Sequence, residues 1–135
     1  MRESRRTVVL ALILNLLAQP VVAQDLLRWA NILRGANIYG QDAMNTYLGR
    51  ITAKDDPDSI FNTKGTFGSE FSPNSIWNRQ GHFGEAFSPY SPLDRYSRTP
   101  PMIIKDGEVI GYVTETGYFQ GGITLEMLRE MADLF

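Results

Sequence analysis

The chain has 135 residues, 13 basic and 15 acidic, a formal net charge of −2, one histidine and no cysteine. That length supports one domain with a modest core. The mild acidity, with no Lys/Arg cluster beyond the N-terminus, argues against a nucleic-acid surface, which needs a basic patch. The absence of cysteine excludes the disulfide framework on which many small secreted domains depend.

Residues 1–23 read as a signal peptide. Arg2, Arg5 and Arg6 form a positive region, Val8 to Ala18 is apolar apart from Asn15, and Val21-Val22-Ala23 fits the small-residue cleavage rule. Pro20 closes the apolar run well short of the roughly 20 residues a membrane span requires. Cleavage is expected between Ala23 and Gln24, leaving no membrane span. The product is secreted or periplasmic, and the leader is of bacterial type.

Residues 24–46 are expected to form an N-terminal helix and a linker. Asp25 can cap a short helix that places Leu26, Trp29, Ala30 and Leu33 on one face, and Gly35 supplies its stop. Residues 47–135 then form a single domain. It opens with Tyr47-Leu48-Gly49-Arg50-Ile51-Thr52 as a strand in which Gly49 marks a bulge or a close backbone approach. A polar loop with Asp55, Asp56 and Asp58 follows.

The most distinctive feature is a tandem repeat. Ser59–Asn74 aligns with Ser75–Tyr90 over 16 positions, nine of them identical, with Phe61 exchanged for Trp77. A degenerate third copy covers residues 91–99. In each full copy Asn-x-x-Gly, at Asn62 to Gly65 and Asn78 to Gly81, suits a β-turn in which the Asn side chain bonds nearby backbone. Phe-Gly-x-x-Phe comes next, and Ser-Pro closes the unit in an extended conformation. So much Gly, Pro and Ser predicts tight turns filled by aromatic side chains.

Met102 to Lys105 and Glu108 to Thr114 flank Asp106-Gly107, the favoured two-residue hairpin turn. The central Gly and terminal Thr of Ile110–Thr114 echo those of Tyr47–Thr52, so both segments are expected in one small antiparallel sheet bracketing the repeats. Thr124 caps a final helix with Leu125, Leu128, Met131, Ala132 and Phe135 on one face. The fold class is α+β, a small antiparallel sheet with turn-rich aromatic and glycine repeats and a short helix at each end.

Three motifs resemble the pattern of a family of small exported bacterial proteins of unknown function. They are Tyr47-Leu48-Gly49, the tandem Ser-Ile-x-Asn-x-x-Gly-x-aromatic-Gly units, and the Pro100-to-Thr114 hairpin ending in Gly-Tyr-aliphatic-Thr. The chain departs from that pattern in carrying Phe where Tyr is frequent, and Glu85-Ala86 in the second unit. The resemblance implies export and a shared fold, and no activity.

The chemistry-bearing residues are few. His82 stands where the first copy has Thr66, so the repeat does not require it, and no partners for a triad are visible around it. It reads as a solvent-facing turn residue. Asp55, Asp56 and Asp58 are oxygen donors suited to calcium, but they lack the Gly turn and distal Glu of a known loop. Two roles are open to the repeat aromatics: core filling, or a surface that stacks on the sugar rings of a cell-wall polymer. The candidate ligand residues are Phe61, Phe67, Trp77, Phe83, Asn62 and Asn78.

These readings point to an exported, non-enzymatic structural or binding protein of the bacterial envelope with no cofactor. Its expected partner is a cell-wall polymer or an envelope protein. The alternative class is a calcium-dependent domain or a hydrolase-type enzyme.

Overall fold

The computed structural model describes residues 21–135. Most of the expected signal peptide lies outside that range, and the expected cut falls near the start of the first helix, α1 (Val21–Leu33). Asp25 is therefore an exposed residue inside the helix and not its cap. Nothing between Val21 and Asp25 breaks a helix, so the helix begins earlier than the capping residue implied. Its expected face holds: Ala30 and Leu33 are buried, Leu26 and Trp29 half-buried, and Gly35 ends it at φ 78°.

The strands are β1 (Asn37–Tyr39), β2 (Tyr47–Arg50), β3 (Met102–Lys105), β4 (Glu108–Val113) and β5 (Gly122–Ile123). They form one sheet in the order β2-β1-β3-β4-β5. Helix α2 (Leu125–Met131) follows and ends in a 3₁₀ turn over Ala132–Leu134. The α+β class is as expected, with two corrections. The sheet is mixed, because β5 runs parallel to β4. The presumed linker contains β1, which lies between β2 and β3 with Ile38 buried.

Gly49 behaves as its position in the strand implied. Its φ is 107°, and a Cβ there would lie 2.6 Å from the Phe67 Cβ. The kink breaks the alternation of β2 and buries both Leu48 and Ile51. The hairpin is also as expected: Asp106 and Gly107 have φ of 52° and 79°, both left-handed as a type I′ turn requires. Thr124 caps α2 by accepting the Met127 N–H at 3.1 Å.

The repeats contain no strand and no helix. They are a ladder of turns whose corners are read from N–H···O=C bonds at Ser59, Asn62, Gly65, Ser69, Ser72, Ser75, Asn78, Gly81 and Glu85. Two three-residue steps, one four-residue step and two further three-residue steps complete the sixteen-residue period. Corner side chains reinforce the turns. Ser59, Ser75 and Ser91 accept the N–H two residues on, as do Asn62, Asn78 and Asp94. The third copy thus keeps the corner geometry that its sequence had blurred.

The ladder starts before Ser59. Asp56 accepts the Asp58 N–H at 2.8 Å, as Ser72 accepts that of Asn74. The Asp56 carbonyl accepts the Asn62 amide at 3.2 Å, and the Ser72 carbonyl accepts that of Asn78 at 2.9 Å. Asp56-Pro57-Asp58 is therefore a half-unit equivalent to Ser72-Pro73-Asn74 and Ser88-Pro89-Tyr90.

Successive units stack on successive strands. Phe67 meets Tyr47 of β2 edge-on with centroids 4.9 Å apart. One unit later, Phe83 is buried against Gly40, where a Cβ would lie 2.7 Å from its ring. Gly40 directly follows β1, the strand beside β2, so the repeat advances by about one strand spacing, roughly 4.8 Å. On the other side Phe61 stacks on Phe135 at 5.5 Å, and Trp77 lies under Arg129 of α2. Ile60 and Ile76 are essentially buried in the hydrophobic core.

The ladder is tied to β2 at its start and to the segment just past β4 at its far end. Arg50 of β2 donates its N–H to the Asp58 carbonyl at 2.8 Å and accepts from Ile60 at 3.0 Å, which covers an otherwise open strand edge. At the far end the Glu115 N–H reaches the Pro92 carbonyl at 2.9 Å.

Two predictions follow from this packing. Gly68 and Gly84 cross their own units so closely that a Cβ would sit 2.1 Å from the Asn62 or Asn78 carbonyl oxygen. That contact is with backbone, so Gly84→Ala should cost about 3 kcal/mol or more, at the upper end of overpacking losses. Gly117→Ala, where a Cβ meets nothing within 4 Å, should melt like the parent in a thermal scan.

The second concerns Asp42, in the β1–β2 connection. Burial pushes its carboxyl up, but hydrogen bonds from the Thr46 side chain and amide, helped by nearby His82, hold it below its ordinary value. A folded pKa below the unfolded one adds stability above the unfolded pKa of about 3.9 and loses it as pH falls through the folded value. Acid titration of the melting temperature should therefore show a shallower decline below about pH 4 in Asp42→Asn than in the parent.

Candidate functional site

A cleft of about 970 Å³ lies between the first two repeat units and α2. Its walls include Phe61, Phe71 and Trp77, with Lys54, Arg79 and Arg129 supplying positive charge and Glu70 negative charge. Each aromatic has a different support. Phe61 is fixed by Phe135, and Trp77 by a 2.6 Å bond from its Nε1–H to the Ile60 carbonyl. Phe71 is 84% exposed and projects without a covering side chain.

The candidate ligand residues separate accordingly. Phe61 and Trp77 line the cleft. Phe67 and Phe83 do not: the first packs on Tyr47 and the second is core, 5% exposed. The Asn62 and Asn78 side chains are committed at both ends, the oxygen to a turn N–H and the amide to a carbonyl six residues back. They are scaffold, although Asn78 contributes to the cleft wall.

The sequence reading missed the second aromatic of Phe-Gly-x-x-Phe. Phe71 and Phe87, sixteen residues apart, are 84% and 91% exposed, whereas Phe67 and Phe83 point inward. The available signal was the glycine: Gly68 and Gly84 pin the chain against the Asn backbone, leaving room inside only for the preceding aromatic.

Asp55, Asp56 and Asp58 do not converge. The Asp56 carboxylate serves its turn and Asp55 is exposed, and among the described residues no three His, Asp or Glu groups are placed to hold a metal ion. His82 is exposed, with its ring against Phe83 at 5.1 Å and Tyr90 at 4.9 Å, away from the main cleft.

Arg129 lies over the Trp77 ring at 4.9 Å. Among the described residues the ion pair is Lys54 with Asp133 at 3.7 Å, and neither Arg79 nor Arg129 has a carboxylate within that range. Both arginines also line a second cleft of about 640 Å³ beside Leu93, Leu125 and three glutamates. They stand on the ridge where the two clefts meet. Among the described residues no helix is long and apolar enough to cross a membrane.

Comparison with protein-family models, with curated proteins and with solved structures finds no match to this chain.

Asn78→Ala removes both side-chain bonds of its corner and should lower stability by about 1–3 kcal/mol, at roughly 1 kcal/mol per bond plus any carbonyl left unsatisfied. Chemical denaturation measures it. Arg79→Ala, on the neighbouring exposed position, should change stability by less than about 0.5 kcal/mol.

Proposed function

We propose that this is an exported, non-enzymatic binding protein of the bacterial envelope, with the cleft between the first two repeat units and α2 holding a segment of cell-wall polymer. The observation that carries the reading is the exposed Phe71 beside the fixed rings of Phe61 and Trp77. Aromatic rings lining a cleft suit the apolar faces of sugar rings. Export rests on the leader at residues 1–23. The resemblance to small exported bacterial proteins agrees with it.

The wall chemistry favours binding over catalysis. The cleft presents rings, amides, cations and one carboxylate, Glu70, while the single imidazole of the chain lies elsewhere. The unsupported exposure of Phe71 in a chain without disulfides is a cost in solubility that binding would account for.

The test is retention of the purified protein on isolated cell-wall material, with Phe71→Ala as the variant. That side chain is exposed, so its removal leaves the fold intact. The parent should be retained and the variant retained several-fold less. Equal retention of both, or none of either, contradicts the reading.

A further inference from the structure

From the two arginines we infer that the polymer held in this cleft is an acidic saccharide, its rings lying against Phe71 and Phe61 and its carboxylate or phosphate groups held by Arg129 and Arg79. The inference rests on the reading of the cleft as a polymer site and names the chemistry of its occupant.

Four observations support it. The chain as a whole is negative, −2, yet the cleft wall carries Lys54, Arg79 and Arg129 against Glu70 alone. Lys54 faces Asp133 at 3.7 Å in an exposed, solvent-screened pair, and among the described residues the two arginines have no such partner. The arginines come from different elements, Arg79 from the turn of the second unit and Arg129 from α2, so two separate parts of the fold bring unpaired guanidinium groups to one ridge.

The fourth is the pose of Arg129. Its guanidinium lies over the Trp77 ring at 4.9 Å, and the ring is itself fixed through its Nε1–H to the Ile60 carbonyl. A guanidinium held over a ring keeps its N–H donors at its edge, where they can make paired hydrogen bonds to a carboxylate or phosphate. The stack also removes much of the rotamer freedom that a free arginine loses on binding. A neutral sugar would need none of this charge. The glutamates beyond the ridge, Glu115, Glu126 and Glu130 in the second cleft, repel an anionic chain and confine it to the side of Phe71.

The experiment measures binding of the purified full protein to three soluble probes: polygalacturonate for carboxylate, a phosphomannan for phosphate, and dextran as a neutral polymer. The parent should bind at least one acidic polymer about tenfold or more tightly than dextran, and the affinity should fall as salt rises. Arg129→Gln and Arg79→Gln should each weaken acidic binding several-fold, and Arg129→Lys should restore only part of it because the ammonium lacks the planar fork.

Which acidic probe wins identifies the group. Dextran binding equal to acidic binding, lost in Phe71→Ala but unchanged in both arginine variants, overturns this inference and leaves the polymer site standing. No binding to any probe, together with no retention on cell-wall material, overturns both. Circular dichroism of each variant separates loss of fold from loss of binding.

Discussion

The rest of the structure depends on the crossing of Gly68 and Gly84 over the backbone of Asn62 and Asn78. A Cβ at either glycine would lie 2.1 Å from the asparagine carbonyl oxygen, so the turn ladder closes at these points only with hydrogen as the side chain. The same asparagines brace the crossing from the other side through their amides, to Asp56 and Ser72. Neither feature is sufficient alone. The glycine allows the approach, and the asparagine makes it worth about 1 kcal/mol per bond.

That local device sets the larger geometry. It turns one aromatic of each unit inward, Phe67 and Phe83, and the other outward, Phe71 and Phe87. The inward pair stacks the ladder on β2 and on the end of β1 at about the spacing of strands. The third residue of each unit, Phe61 and then Trp77, meets the C-terminal segment at Phe135 and Arg129. A cysteine-free chain thus gains its core by packing the repeats on both the sheet and the C-terminal segment, with Ile60 and Ile76 buried in the shared core. The cleft is what remains where the outward aromatic and the helix do not meet.

Much of this was legible in the chain. Asp106-Gly107 gave a hairpin and Thr124 a helix start because each has a local mechanism independent of the rest. Gly49 was legible for the same reason. β1 was not, since Asn37-Ile38-Tyr39 is too short for periodicity to show; only the buried series Ala36, Ile38, Gly40 marks it. β5 is two residues long and exists because β4 offers it an edge. The half-unit at Asp56 was hidden because aspartate and serine differ as letters while forming the same turn. In the cleft, Phe61 and Trp77 were found by their repetition, but repetition cannot distinguish inside from outside. That is why Phe67 and Phe83 were chosen with them and Phe71 was not.

The central claim is that the repeats are an ordered ladder of turns, cooperative with the sheet although they contain no strand. Native-state hydrogen exchange at single-residue resolution tests it most directly. The amides of Asn62, Gly65, Asn78 and Gly81, each bonded to a corner carbonyl, should exchange as slowly as those of β4 and open with them in one unit. Exchange of these four amides at the rate of an open chain, while β4 stays protected, would contradict the account.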